Sequence, residues 1–208
     1  MSAALSFLRD GRGAGAAEFA LILPLFLLFL LGIIDAGRFA WAFNQAEKAT
    51  QIGARWAVVT NPIPSNMTTY SFVSSSIPQG SVVPQSAFAG VQCMTAGAST
   101  APVCACKTSG ACGFDATVEN GAAWTALVGR MAQIYPGLAA RNVVVDYDWS
   151  GLGYAGDPNG ADLAPLVTVS LRDVEFRPMT TMLFGVDLPL PSASYTLTME
   201  DGIGTDSN

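Results

Sequence analysis

The chain has 208 residues, with 10 basic and 16 acidic side chains, no histidine and a net charge of −6. An acidic balance of this size gives no electrostatic case for binding nucleic acid. The missing histidine also removes the side chain used most often as a general base and metal ligand.

The first 13 residues form a short leader with Arg9 and Arg12 against a single acid, Asp10. An apolar run follows. Between Glu18 and Asp35 lie sixteen residues without a charge, mostly Leu, Ile and Phe. As a helix they span roughly 24 Å, and the small residues 14–17 extend this toward the ~30 Å of a bilayer core. A membrane helix is therefore expected over 14–38, with Glu18 at or just inside the boundary, where a charge costs far less than at the bilayer centre. The positive-inside rule puts the leader in the cytoplasm and the rest of the chain across the membrane.

A cleaved secretory signal is the rival reading. Its basic start and apolar core fit, but no clear small-residue cleavage site follows the core. Instead the helical pattern continues. Asp35 and Arg38 are three apart and can pair on one face. Phe39, Trp41 and Phe43 stand at the level of an aromatic belt, and Ile52, Trp56 and Val59 prolong an apolar stripe. Pro24 lies inside the run, removes a hydrogen bond to Ala20 and is expected to kink the helix. Gly32 and Gly37 are five apart and so do not form a small-xxx-small pair.

Residues 61–112 are rich in Pro, Ser, Thr, Gly and Ala and read as loop, with room for a single strand or helical turn. All four cysteines, Cys93, Cys104, Cys106 and Cys112, fall here. There is no CxxC pair, so two disulfides in an oxidising compartment are a better reading than zinc. Two pairings stay open: Cys93–Cys104 with Cys106–Cys112, slightly preferred, or the crossed Cys93–Cys106 with Cys104–Cys112. Cys104 to Cys106 would close too tight a ring.

Asp115–Tyr135 has helical spacing (Val118, Ala122, Trp124, Leu127, Val128, Met131, Ile134), stopped by Pro136-Gly137. Three strand-like runs follow: Asn142–Trp149, Leu166–Phe176 and Ser194–Met199. Arg177–Pro191, with three prolines and Phe184-Gly185, is expected to be a plain connection. The fold class is α+β, a long N-terminal helix and a second helix packed on a small antiparallel sheet in a domain spanning 39–208.

Reactive constellations are missing from the sequence. There is no P-loop, no GxSxG and no HExxH, so no enzyme, cofactor or metal is expected. The acidic group Asp146, Asp148, Asp157, Asn159 and Asp162 is the best candidate for calcium, but Asp157-Pro158-Asn159-Gly160 reads more simply as a β-turn. Trp41, Trp56, Trp124 and Trp149 read as core or interface residues.

The segment RDGRGAGAAEFALILPLFLLFLLGIIDAGR, residues 9–38, resembles the N-terminus of the TadE-like family, minor pilins or pseudopilins of the tight-adherence (Flp) pilus system. The resemblance is specific over about residues 9–60. It implies a class III leader cut by a prepilin peptidase at Gly13–Ala14. Glu18 then becomes the fifth mature residue, followed by Phe19 where the short major pilins carry Tyr. It also implies an inner-membrane helix, a periplasmic domain with the disulfide-tied loop near 93–112, and a role in assembling or initiating an adhesive pilus. The implied partners are the peptidase, other pilins or pseudopilins, inner-membrane assembly proteins and the lipid bilayer. Ala14 and Glu18 are four apart, so the new α-amino group, from the same chain or a neighbour, can meet the carboxylate and set subunit register. The alternative is an unprocessed single-pass protein whose periplasmic domain binds an envelope or secreted partner.

Overall fold

The computed structural model describes residues 14–97, 99–108, 112–181, 185–199, 202 and 204. The leader and Gly13 lie outside them.

Helix α1 runs from Ala14 to Val59 and passes through Pro24 without a break. Strand β1 is Val91–Thr95 and β2 is Pro102–Cys106; helix α2 spans Gly121–Ala132. A 3-10 turn at Ala140–Asn142 leads into β3 (Val143–Asp148), and β4 is Leu166–Leu171. Two short strands, β5 (Glu175–Phe176) and β6 (Leu188–Pro189), form a ribbon of their own, and β7 is Ser194–Thr198. The main sheet is antiparallel with order β2-β1-β3-β4-β7. The α+β class expected from sequence is the one observed.

The chain divides into two compact units: residues 1–41 with 176–188, and 42–175 with 189–208. In the larger unit the sheet obeys a strict period of two. Val91 pairs Tyr147, Cys93 pairs Val145, and Val145 pairs Val169, all turned inward and buried. On the opposite face Gln92, Asp146, Thr168 and Thr196 form a polar row across four strands. Gln92 Nε2 donates to Asp146 Oδ1 at 2.9 Å, and the Thr168 and Thr196 hydroxyls lie 2.8 Å apart.

Helix α2 presents Trp124, Leu127 and Met131 to the core at i, i+3 and i+7. Its start is set by Asn120, whose side chain accepts from the Ala123 amide at 3.1 Å, an N-cap that satisfies one orphan donor of the first turn. Residues 115–120 are therefore not helical, contrary to the helix expected from Asp115. Asp115 Oδ1 instead takes the Thr117 amide and hydroxyl, and Pro64 bridges Glu119 in a strand-like pair. These local bonds compete with the helix, which starts only at its cap.

The C-terminal part of α1 seats on this core through small side chains. Ala46, Ala49, Ala54 and Ala57 are buried. A Cβ on Gly53 would stand 2.8 Å from Met131 Sδ and 3.2 Å from Val169 Cγ1. Trp56 and Val59 of the expected apolar stripe pack at the flank, and Ile52 is half-buried. The face in contact is lined by the smaller residues because only they let the helix axis approach so closely.

The polar segment 61–112 differs most from expectation, since it holds two strands. Cys93 lies directly opposite Cys104 in the β1–β2 register and is bonded to it; Cys106 is bonded to Cys112. The pairing is the consecutive one. Leu166–Phe176 is also not one strand. Asp173 adopts φ 51°, a left-handed conformation that ends β4 and re-aims the chain into β5.

Candidate functional site

In the smaller unit the helix carries its apolar side chains outward. Phe19, Leu21, Ile22, Leu25, Phe26, Leu28, Phe29 and Ile33 are all exposed, Leu21 to 81%. Neither end of this run is left to chance. At the N-terminal end Glu18 is exposed and has no hydrogen-bond partner among the described residues. Phe19 beside it is exposed as well. A Cβ built on Gly15, Gly32 or Gly37 would meet nothing within 4 Å, so among the described residues these three glycines face open space.

The other end is closed by Asp35, only 7% exposed in a stretch that is otherwise open. It lies 17 residues beyond Glu18, about 26 Å along a helix axis. Its Oδ1 accepts from the Met179 amide at 2.8 Å, and its Oδ2 from the Thr180 amide at 2.8 Å and hydroxyl at 2.9 Å. Arg38 donates to Oδ1 at 3.0 Å, the pairing expected from their spacing. The guanidinium of Arg38 also lies 5.2 Å from the Phe176 ring centroid. Phe39 meets that ring edge-on at 5.5 Å. The excursion between β5 and β6 is thus more than the connection expected for 177–191. Arg177 grips Asp187 through both nitrogens at 2.8 and 3.0 Å, and the Thr181 hydroxyl donates to the Val186 carbonyl at 2.7 Å. The ion pair holds the Asp187 carboxyl below its usual range, the Arg177 hydrogen bond acting first and its charge adding to it.

No constellation for proton or group transfer is assembled among the described residues. The acids considered for calcium are dispersed. Asp146 and Asp148 both take Lys107, at 2.8 and 2.7 Å. Asp157 accepts its own neighbour Asn159. Asp162 is saturated by the Phe72 amide, the Ser71 hydroxyl and the Asp157 amide, so it ties three loop segments together. Among the described residues no three His, Cys, Asp or Glu side chains stand where they could share a metal. A cavity of about 230 Å³ beside Trp56, Thr60, Asn120 and Ala126 is lined by no ionisable group.

What stands out chemically is a helix with mean hydropathy 2.6 over its most apolar window, none of which is buried, so it is long and apolar enough to cross a membrane. The family model described as TadE-like protein matches residues 13–55, the same segment. Over those residues the chain is similar to that family. The matched segment covers the exposed run, Glu18, Asp35 and the seat of small residues as far as Ala54, and stops short of the sheet. No curated protein and no solved structure matches the chain.

Sequence reasoning anticipated the Asp35–Arg38 pair and singled out Glu18 and Phe19 as candidates. It missed the capture of Met179 and Thr180 by Asp35. The available signal was a carboxylate at the end of an apolar span, which needs partners beyond one arginine.

Proposed function

We propose that the protein is a minor pilin or pseudopilin of a Tad/Flp-type adhesive pilus, acting in its assembly or initiation rather than in catalysis. In this reading a prepilin peptidase cuts Gly13–Ala14, helix 14–38 holds the subunit in the inner membrane, and the folded domain lies in the periplasm. The observation that carries it is an apolar helix with none of its most apolar window buried and with one carboxylate, Glu18, that has no partner among the described residues, four residues after the helix start, continuing into a folded domain. The TadE-like match on that segment supports the same reading.

The mechanism follows from helix chemistry. An apolar helix is equally at home in lipid and among like helices, so leaving the bilayer for a filament changes its neighbours more than its solvation. Glu18 is the polar exception. Inside a helix bundle it requires a cation, and the α-amino group of Ala14 on a neighbouring subunit supplies one at a single axial stagger. A wrong stagger leaves a carboxylate unpaired in an apolar environment, a cost of several kcal/mol.

The test is the mature N-terminus. With the cognate peptidase, mass spectrometry should find Ala14 first, and Gly13→Arg should leave the precursor whole. Glu18→Ala should still insert but lose cross-linking to partner subunits, with Glu18→Asp intermediate. A chain still starting near Met1 in a piliated cell would overturn the minor-pilin reading in favour of an unprocessed single-pass protein.

A further inference from the structure

The excursion between β5 and β6 has features that a connection does not need. Its described parts, 176–181 and 185–188, expose Met179, Val186 and Leu188, the first two to 47% and 49%. Several of its polar groups are meanwhile paired, although the Arg177 side chain stays exposed. The Met179 and Thr180 amides and the Thr180 hydroxyl go to Asp35, the Thr181 hydroxyl to a carbonyl, and Arg177 to Asp187. A segment whose amides at Met179 and Thr180 are bonded and which shows apolar side chains is suited to lipid, where unpaired polar groups are costly.

Its position is equally specific. Asp35 stands about 26 Å from Glu18 along the helix, close to the thickness of a hydrocarbon core. If Glu18 marks one face of the bilayer, Asp35 marks the other. The excursion is bonded to that residue, so its height is fixed at the opposite interface. Arg38, Phe39 and Phe176 cluster there as well, a cation with aromatic rings of the kind that sits among headgroups.

We propose that residues 176–181 and 185–188 form a second membrane contact. The excursion lies in the headgroup layer on the domain side and presses Met179, Val186 and Leu188 into the lipid, with Asp35 as the residue that holds it at that depth. This rests on the reading that helix 14–38 spans the bilayer. One anchor leaves the subunit free to spin about its helix axis; a second contact off the axis fixes which side faces its neighbours. Asp35 and Asp187 enter the layer already paired, so the carboxylates do not oppose insertion.

The experiment uses the full chain in phosphatidylethanolamine–phosphatidylglycerol vesicles, with the native cysteines left in their disulfides. Val186→Cys, Met179→Cys, Leu27→Cys and Val118→Cys are each labelled with a nitroxide. Collision rates are then measured with oxygen, which concentrates in lipid, and with a water-soluble nickel chelate. At positions 186 and 179 oxygen should win, at a shallower depth than at 27, while the chelate should win at 118. Labels at 179 and 186 as accessible to the chelate as the one at 118, with 27 deep in lipid, would overturn the second contact and leave the span intact. A label at 27 in water would remove the span and the second contact together. Labels at 179 and 186 shielded from both reagents, with broadening that fades on mixing in unlabelled protein, would assign the surface to a second copy and overturn the lipid assignment.

Discussion

Tyr147→Phe removes one oxygen from the middle of the larger unit. Tyr147 is 1% exposed, and its hydroxyl accepts the Ile63 amide at 3.1 Å. Burial pushes its pKa far up, more than the Ile63 amide lowers it, so the phenol is neutral throughout the working range. Ile63, itself buried, is the fourth residue after α1 ends, and its carbonyl takes the Asn120 amide at 2.7 Å. The single hydroxyl therefore pins the chain leaving the long helix to the central strand. Phenylalanine would fill the same space but strand a buried N–H, at a cost of about 2 kcal/mol within a usual range of 1–3. For a domain of this size each kcal/mol shifts Tm by about 2–4 °C, so a fall of about 4–8 °C is expected. Thermal unfolding followed by near-UV circular dichroism in detergent, with disulfides intact, measures it. Tyr154→Phe, at a ring 55% exposed, is the matched control and should shift Tm by less than about 1 °C. Equal midpoints for the two variants would refute the reasoning, because the Ile63 amide would then have found another partner.

Asp35→Asn should speed amide exchange at Met179 and Thr180 by roughly tenfold or more, because whichever way the amide turns, its nitrogen faces one of the two backbone donors. Unchanged exchange in a folded variant would mean the excursion is held by something else. Gly53→Leu should destabilise the larger unit by about 1–3 kcal/mol through overpacking against Met131 and Val169, read as a lower Tm. A neutral result would mean the helix can back away from the sheet. Lys107→Met tests the polar face. Burial opposes the ammonium, but hydrogen bonds and attraction from Asp146 and Asp148 outweigh it and raise its pKa above 10.5. A raised pKa gives stability that is complete below the unfolded value and is lost as pH rises through the folded one. The Tm gap between wild type and variant should thus be full at pH 8 and shrink above about pH 10.5; a gap that grows there would reverse the assignment.

The parts of the fold that long-period patterns describe were readable in the residues. The apolar run, Trp124-Leu127-Met131 and the alternation of Leu166–Leu171 each repeat a spacing that geometry requires. The β1–β2 hairpin was hidden because its inward positions are Val91, Cys93 and Cys104, and its sequence otherwise reads as polar loop. Counting buried cysteines as apolar restores the alternation. The seat of α1 was hidden for the opposite reason. Close approach selects Ala and Gly, which carry almost no hydrophobic signal, while the louder Ile52 and Trp56 flank it. At the site, Glu18 and the Asp35–Arg38 pair follow from local spacing. The bonds from Asp35 to Met179 and Thr180 join residues more than 140 positions apart, and no periodicity reports a contact of that range.

The order of the disulfides bears on how such a chain matures. If the part of the chain after its membrane helix enters an oxidising space in sequence order, each thiol meets the one before it. Cys104 arrives when only Cys93 is waiting, and once that pair closes, Cys106 has no partner until Cys112 follows. Arrival order alone then yields the native bonds, without the slow reshuffling that crossed pairs require. The outer strand of the sheet is covalently closed before β3, the strand it must dock beside, has been delivered. Consecutive pairing of this kind, unlike a crossed one, lets each bond close without breaking another.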